Sequence, residues 1–228
     1  MALAQSTHYQ SRNWELYWLY TSGQTDQAHE LVQQLLAESG GLSEYALFMR
    51  GLLAQTQGNL TTALSSYQAA LCIAPQSLAY LKAVARILVL MGKIKDALQA
   101  YEAAERLPGG ADDWLVQYGK GTCHMRHKDW DAAVDAFEMA NAICKQECTF
   151  IAMIQARKEQ QQFEEAIEVV KEALDFAPAS PDLLTTLGLL YLRTGDSTQA
   201  FVHLGTALTH DPRNFKAILA AASILQGV

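Results

Sequence analysis

Proline and cysteine are scarce in this sequence, whose 228 residues include five prolines and four cysteines. Four cysteines are too few for a disulfide scaffold of this size, and a reducing cytosol fits their number best. Scarce proline, together with abundant Ala, Leu and Gln, favours helices. No run of four to eight residues alternates between apolar and polar in the manner of a β-strand bounded by turns. The sequence therefore predicts an all-α protein.

Basic stripes and long apolar runs are also missing. The formal net charge is -7 and the sequence pI is about 5.3. Nothing resembles the basic surface that binds phosphates, which argues against nucleic acid and against an anionic membrane as direct partners. No apolar run reaches the ~20 residues that span a bilayer. The aromatic residues near the start alternate with polar ones, unlike the core of a signal peptide.

Small residues recur along the chain at a nearly fixed interval of about 34 residues. Each first position is followed seven residues later by a second one, which is also small in five of the six cases. The pairs are Ala28 and Leu35, Ala63 and Ala70, Ala97 and Ala104, Ala133 and Ala140, Ala166 and Ala173, and Ala200 and Ala207. Five matching pairs at one period indicate a repeated structural unit.

Other positions follow the same period less strictly. A position upstream of each alanine pair reads Gly51, Ala85, Gly121, Ile154 and Gly188, and a bulky position within the pair reads Tyr67, Tyr101, Phe137, Val170 and Leu204. Turn glycines recur at Gly23, Gly58, Gly92 and Gly195, and prolines follow three units at Pro75, Pro178 and Pro212. Small residues let two helix backbones approach closely, and large residues fill the gaps that remain.

This period and order are typical of the tetratricopeptide repeat (TPR). The sequence therefore predicts a TPR solenoid, a right-handed superhelix of antiparallel helix pairs. Residues 1–42 form an N-terminal segment with a degenerate repeat, and residues 43–214 form five repeats. Their bounds are about 44–77, 78–111, 114–147, 147–180 and 181–214. We interpret residues 106–113 as a loop insertion and not as a domain boundary.

The tail, residues 215–228, continues the repeat as one more helix that is apolar nearly all round. A terminal helix of a solenoid usually has a polar outer face. We therefore expect the natural protein to continue into further repeats, with this chain as its N-terminal portion. The alternative is a capping helix that a partner or a second copy buries.

Several stretches resemble the family of the TPR subunit of the BBSome, the Bardet–Biedl syndrome protein complex that moves membrane cargo in cilia. The most specific are PDLLTTLGLLYLRTG (181–195) and AFVHLGTALTHDPRNFKAILAA (201–222). GLSEYALFMRGLL (41–53), PQSLAYLKAVARILVLMGK (75–93) and EEAIEVVKEALDFAP (164–178) also resemble it. The resemblance covers roughly residues 13–222, and members of the family are longer.

The resemblance implies a non-enzymatic scaffold subunit without cofactors. Its implied partners are a second TPR subunit, β-propeller subunits and a small extended subunit of the same complex. It also implies links to centriolar satellites and to the dynein–dynactin motor. The implied location is the cytoplasm, the ciliary base or centrosome, and the cilium.

In a TPR array, positions 2, 5, 9, 12 and 13 of each first helix line the concave groove. Mixed aromatic, aliphatic and cationic residues at these positions suit a protein segment. The candidate groove residues are Tyr45, Phe48, Leu52, Lys82, Arg86, Tyr118, Arg126, Ile151 and Arg193. Near the start, Trp14, Tyr17 and Trp18 either cap the end of the stack or contact a partner.

Two other TPR functions find less support. A co-chaperone grips a terminal carboxylate with Lys and Asn at fixed positions, and here only Lys82 occupies such a place. The sugar transferase that carries an asparagine ladder has no counterpart either, because the ladder position reads Met49, Ala83, Gly119, Ala152 and Thr186. A co-chaperone-type adaptor, or a substrate-recognition array of a larger enzyme, remains the alternative.

Residues with catalytic or metal-binding chemistry do not form a motif. Cys144, Cys148, His124 and His127 are zinc-ligand types, but their spacing favours a structural role. GKG (119–121) lacks the rest of a phosphate loop, and the carboxylates of residues 158–174 fit a solvated helix face. We expect no catalytic residue, no metal and no cofactor.

Overall fold

A computed structural model describes the backbone of residues 2–227 and the side chains of residues 12–227. Within these residues the chain forms thirteen α-helices and no β-strand, which confirms the predicted all-α fold. The helices are α1 (Ala2–Thr21), α2 (Thr25–Glu38), α3 (Glu44–Thr56), α4 (Leu60–Ile73), α5 (Leu78–Leu90), α6 (Ile94–Glu105), α7 (Trp114–His127), α8 (Trp130–Ile143), α9 (Glu147–Glu159), α10 (Phe163–Phe176), α11 (Pro181–Thr194), α12 (Ser197–His210) and α13 (Phe215–Leu225).

The chain divides into two compact units, residues 1–111 and residues 112–228. Unit 1 contains α1–α6, and unit 2 contains α7–α13. The division lies within residues 106–113, which the sequence predicts as a loop insertion. There, eight residues separate the end of α6 from the start of α7.

Both units are built from helix pairs. In unit 1 the pairs are α1 with α2, α3 with α4 and α5 with α6, and in unit 2 they are α7 with α8, α9 with α10 and α11 with α12. Only two or three residues join the helices of a pair, so the two helices must run antiparallel. The last helix, α13, packs against α12 and α11.

The repeated alanines form the tightest part of each pair. The six first positions, from Ala28 to Ala200, and the five second alanines, from Ala70 to Ala207, are all fully buried. Leu35, which occupies the second position in the degenerate N-terminal repeat, is also buried. The pattern therefore marks helix contacts, as the sequence predicts.

The glycine position and the bulky position of a repeat lie directly against each other. A Cβ atom placed on Gly121 would lie 2.5 Å from the Cε1 atom of Phe137, and one on Gly188 would lie 2.6 Å from the Cγ atom of Leu204. Both bulky side chains are fully buried. Each bulky residue thus fills the space that the glycine leaves open, and a larger residue at the glycine position has no room.

The turn inside each helix pair needs a left-handed residue. Gly58 and Gly195 supply it with φ angles of 78° and 87°. In the repeats at about 114–147 and 147–180, where the sequence has no turn glycine, Lys128 and Gln161 adopt the same conformation with φ angles of 63° and 62°. The turn geometry is therefore retained although two of its residues are strained.

A matched pair of glycine substitutions tests the close contact. We expect Gly121→Ala to lower the free energy of unfolding by about 1–3 kcal/mol, because the buried Phe137 ring must move. Gly205→Ala is the control, since a Cβ there meets nothing within 4 Å. That change should raise the stability by up to about 1 kcal/mol through helix propensity. Urea denaturation measures both, and equal effects would contradict the packing.

The strained turn gives a second stability prediction. Gln161→Gly should raise the free energy of unfolding by about 1 kcal/mol, because glycine adopts a positive φ without strain. Its neighbour Gln160 has a φ angle of -76° and is the control. Gln160→Gly should destabilise the protein, since it only adds freedom to the unfolded chain. A thermal melt of each variant decides between these signs.

Candidate protein-binding surface

One face of unit 2 presents exposed residues from three successive first helices, α7, α9 and α11. We call it the first-helix face. Helical spacing places its residues on one side of each helix. The exposed ones are Leu115 and Arg126 on α7, Cys148, Ile151 and Lys158 on α9, and Asp182, Leu189 and Arg193 on α11, and the partly buried Thr122 and Gln155 lie on the same sides. The opposite side of these helices packs into the core of the unit.

The first-helix face has a cation in the last turn of each helix. Arg126, Lys158 and Arg193 are exposed. Among the described residues, none of the three forms a salt bridge or a side-chain hydrogen bond. The one carboxylate beside them on α9, Glu159, accepts a hydrogen bond of 2.7 Å from the Nε2 atom of Gln155. The three cations are thus available to an anionic group from outside the chain.

Within the helices of unit 2, acidic residues are most numerous on the second helices α8 and α10, while Glu147, Glu159 and Asp182 lie on first helices. Eight exposed carboxylates and one lysine line α8 and α10: Asp131, Asp135, Glu138, Glu164, Glu165, Glu168, Lys171, Glu172 and Asp175. The ion pairs that reach this surface are Lys171 with Glu168 at 2.8 Å, Lys145 with Glu172 at 3.1 Å and Arg157 with Glu165 at 2.9 Å. Charge is therefore separated between the two sets of helices.

Apolar side chains accompany the cations on the first-helix face. Leu115, Ile151 and Leu189 are 37%, 49% and 38% exposed. Tyr118 is only half-buried, with its ring 5.6 Å from that of Phe137. Burial raises the pKa of Tyr118 above its ordinary value, so its hydroxyl stays neutral and can donate a hydrogen bond. Together these groups offer apolar and polar contacts.

In unit 1 the predicted groove residues contribute more to packing. Tyr45, Phe48 and Leu52 are partly buried against the core that α1, α2 and α3 share. The ring of Phe48 lies between two others, 5.4 Å from Tyr67 and 5.1 Å from Tyr80. A partner would therefore reach only part of these side chains.

The cations predicted in unit 1 lie on α5. Lys82 is partly buried and Arg86 is exposed. The hydroxyl of Tyr67 donates a hydrogen bond of 3.2 Å to the Oε1 atom of Gln55. Burial raises the pKa of Tyr67 to about 12, an effect that the charge of Arg86 opposes. Arg86 thus lies close enough to influence a buried phenol.

The aromatic residues of α1 lie on its exposed side. Trp14, Tyr17 and Trp18 are 70%, 47% and 54% exposed, and the rings of Trp14 and Tyr17 stack at 5.6 Å. Leu16 and Leu19 on the other side are buried in the core of α1–α3. The pKa of Tyr45 is raised mainly by burial, and the nearby phenol of Tyr17 raises this pKa further. This helix therefore buries its leucines and displays its aromatic rings.

The cysteine and histidine residues do not converge on a metal site. Within the described residues, no group of three or more His, Cys, Asp or Glu side chains is placed to hold a metal ion. Cys144 accepts a hydrogen bond from Gln146, and His124 faces Asp129 at 3.8 Å. Cys123 is fully buried, and burial raises its pKa to about 11. We assign the buried Cys123 to packing.

Three exposed apolar or cationic residues of the first-helix face are not among the candidate groove residues: Leu115, Lys158 and Leu189. They occupy positions 2, 12 and 9 of their first helices, which are groove positions. In the sequence, only their positions within the repeat mark these three residues as groove residues. Their exposure, and the lack of a partner for Lys158, follow only from the structure.

Sequence comparison decides the family of this fold. The family model described as tetratricopeptide repeat matches residues 19–77 and 83–146, more than half of the chain, and a second TPR model matches residues 155–195. The chain belongs to the tetratricopeptide-repeat family. The predicted TPR solenoid is thereby confirmed as a fold class.

Relatives of this TPR chain include two proteins named BBSome complex member BBS4. The bovine protein (Bos taurus) is 36% identical over 217 residues, and the mouse protein (Mus musculus) is 37% identical over 217 residues. Each match covers 95% of this chain and 41% of the relative. The predicted resemblance to the BBSome TPR subunit is confirmed, and the chain spans less than half the length of these relatives.

Solved structures share the fold at low sequence identity. The type IV pilus biogenesis factor PilW superimposes with a TM-score of 0.79 at 15% identity, over 92% of this chain and 96% of that protein. Identity this low supports the fold alone. Within residues 2–227, no helix of the TPR array combines the length and the apolar character that a membrane span needs.

Thiol reactivity tests the placement of the cysteines. Cys72 and Cys148 are exposed, so we expect iodoacetamide at pH 8 to alkylate both within minutes. Cys123 should react only after unfolding, because its thiol is buried and its raised pKa leaves little thiolate. Peptide mass spectrometry after timed quenching measures each site. Rapid labelling of Cys123 in the folded protein would contradict its burial.

Proposed function

We propose that this TPR chain is a non-enzymatic scaffold segment of a BBSome-type ciliary trafficking complex. It binds protein partners through the exposed faces of its repeats and performs no chemistry on them. The proposal is supported by the relatives, which are named as members of that complex. It is also supported by the repeat architecture, since solenoids display extended surfaces for binding.

The observation that carries the proposal is the first-helix face of unit 2. Its three exposed cations have no partner among the described residues, and exposed aliphatic side chains lie on the same helix sides. Exposed apolar groups beside oriented charges are what a protein partner needs for affinity and for register. These side chains are exposed and are not enclosed in a pocket, so protein recognition suits the face better than catalysis does.

We extend the same proposal to particular partners and to a location in the cell. The partners are the second TPR subunit, the β-propeller subunits and the small extended subunit of the complex. Centriolar satellite and dynein–dynactin components are further partners. The protein then acts in the cytoplasm at the ciliary base or centrosome and in the cilium. These statements rest on homology to BBS4 proteins.

Co-purification with the other subunits tests the proposal. We expect the tagged chain, expressed with the remaining BBSome subunits, to retain at least one of them after affinity purification and gel filtration. Ile151→Ala with Leu189→Ala should reduce the amount retained, because both side chains lie on the first-helix face. The control is Met139→Ala with Ile143→Ala, which removes exposed apolar groups from α8. Failure to retain any subunit would refute the assignment to this complex.

The aromatic residues of α1 give a separate prediction. Trp14→Ala with Trp18→Ala should weaken partner retention and leave the thermal midpoint unchanged, because both rings are exposed. Leu16→Ala is the contrasting variant, since Leu16 is fully buried. It should cost about 2–5 kcal/mol of stability. A loss of stability in the double tryptophan variant would instead assign the rings to capping.

A further inference from the structure

Apolar side chains are exposed on the second helices of unit 2 as well as on its first helices. Met139 and Ile143 on α8 are 49% and 39% exposed, and Phe176 on α10 is 51% exposed. Met139 and Ile143 are four residues apart, so they lie on the same side of α8. The ring of Phe176 lies 6.3 Å from that of Phe150 on α9, the helix that packs against both α8 and α10. These side chains thus leave apolar surface in contact with solvent on two helices.

An ion pair joins the parts of α8 and α10 that display these groups. The Nζ atom of Lys145, two residues after α8, lies 3.1 Å from the Oε1 atom of Glu172, one turn before Phe176. The end of α8 therefore lies beside α10. We call the exposed surface of these two helices the second-helix face. Its residues are Asp131, Asp135, Glu138, Met139, Ala142 and Ile143 on α8, and Glu164, Glu165, Glu168, Lys171, Glu172, Asp175 and Phe176 on α10.

The second-helix face has more carboxylates than cations to pair with them. Each cation that reaches it within the described residues already pairs with one carboxylate: Lys171 with Glu168, Lys145 with Glu172 and Arg157 with Glu165. In the adjoining turn, Glu147 accepts a hydrogen bond of 2.8 Å from Ser180. Four carboxylates form neither a salt bridge nor a side-chain hydrogen bond among the described residues: Asp135, Glu138, Glu164 and Asp175. An incoming cation therefore finds available carboxylates beside the exposed apolar groups.

The helix dipole explains only part of this negative charge. An acidic residue stabilises the first turn of a helix and destabilises its last turn. Asp131, Glu164 and Glu165 occupy first turns. Glu138, however, lies in the middle of α8, and Asp175 lies in the last turn of α10. Carboxylates three or four residues apart on one helix also repel each other. Folding gains little from these groups, which indicates a role at the surface.

We propose that the second-helix face binds a basic amphipathic helix of a protein partner outside the subunits of the complex. The apolar stripe of that helix packs on Met139, Ile143 and Phe176, and its Lys or Arg residues pair with the available carboxylates. This goes beyond the proposed function, because it gives unit 2 a second surface that is separate from the first-helix face. A complex assembled through the first-helix face can recruit this partner through the second-helix face.

The spacing of the exposed groups suits a helical partner. Side chains four residues apart form a ridge that packs into the groove between two ridges of another helix. Met139 and Ile143 form such a ridge, and Asp135 lies one turn before Met139 on the same side. An amphipathic helix has charged residues along the borders of its apolar stripe. The long stems of Lys and Arg cover apolar surface while their charged ends reach the carboxylates.

Charge disfavours the other occupants of this face. A second copy of the chain that paired through the same face would bring identical carboxylates together. Nucleic acid or an anionic membrane would bring phosphates against them. An apolar helix without cations would desolvate carboxylates and leave them without a partner. A basic amphipathic helix matches both the apolar and the acidic groups.

A designed peptide tests this inference. The probe is a fluorescein-labelled peptide of 18 residues, about five helical turns, with Leu at every third or fourth position and Lys elsewhere. One matched peptide has the same residues in an order without a helical stripe, and another replaces every Lys by Glu. Fluorescence anisotropy with the full chain should show binding of the amphipathic Lys peptide, at least tenfold weaker binding of the reordered peptide and none of the Glu peptide. Equal binding of the first two, or no binding of the first, would overturn the proposal.

Two double alanine variants locate the site. Met139→Ala with Ile143→Ala should weaken binding of the amphipathic Lys peptide roughly tenfold, because apolar contact area is lost. Ile151→Ala with Leu189→Ala, on the first-helix face, should leave this binding within about twofold. The order is reversed in the subunit co-purification, where the second pair lowers retention and the first does not. Equal effects of the two pairs on the peptide would overturn the assigned site.

A matched pair of triple variants tests the charge. The first triple removes carboxylates from the second-helix face: Asp135→Asn, Glu138→Gln and Asp175→Asn. The control removes the same charge from exposed residues of unit 1: Asp26→Asn, Glu30→Gln and Asp96→Asn. The first triple should weaken the amphipathic Lys peptide roughly tenfold, and the control should leave its binding within about twofold. Equal losses would show an effect of net charge and overturn the proposal.

The peptide and subunit measurements separate the possible failures. If the parent chain retains subunits but binds the amphipathic and reordered peptides equally, the proposed function survives and the inference about the second-helix face fails. If the parent chain distinguishes the peptides but retains no subunit, the proposed function fails and the second-helix face stands.

Discussion

The contact between a small residue on a first helix and a bulky residue on the second determines the rest of this structure. Gly121 lies against Phe137 and Gly188 lies against Leu204 so closely that a single extra carbon has no room. The buried alanines around them hold the backbones at the same separation. Because the two helices of each pair pack through this contact, the outer sides of the helices take no part in the core. The exposed first-helix face exists because the core is confined to one side of each helix.

Charge follows the same division in unit 2. The second helices α8 and α10 are strongly acidic, while the first helices display cations at their ends. These charged side chains do not contribute to the core, so the separation of charge is not a consequence of folding. It gives the unit two electrostatically distinct sides although the whole chain is acidic. Net charge alone therefore describes the surface of this chain poorly.

The sequence predicts the fold well because the same contact of buried small residues recurs in six helix pairs. The positions of Ala63, Ala133 and Ala200 follow from the period alone, and all three are fully buried. The period does not predict which residues each individual side chain contacts. Phe48 is a groove residue by position, yet it packs between Tyr67 and Tyr80. Lys158 is also a groove residue by position, but it has no hydrogen-bond or ion-pair partner among the described residues, and only the three-dimensional neighbours distinguish the two cases.

The different packing of Phe48 and Ile151 has a consequence for how the two units can change during evolution. A substitution at Phe48 alters the contacts of α3, α4 and α5 together, so a new surface there is coupled to stability. Ile151 is half exposed and Lys158 and Arg193 contact no described residue through hydrogen bonds or ion pairs. Substitutions on that face are nearly independent of the fold. The surface of unit 2 at Ile151 can therefore change by single steps, whereas a change at Phe48 in unit 1 would need compensating changes in the core.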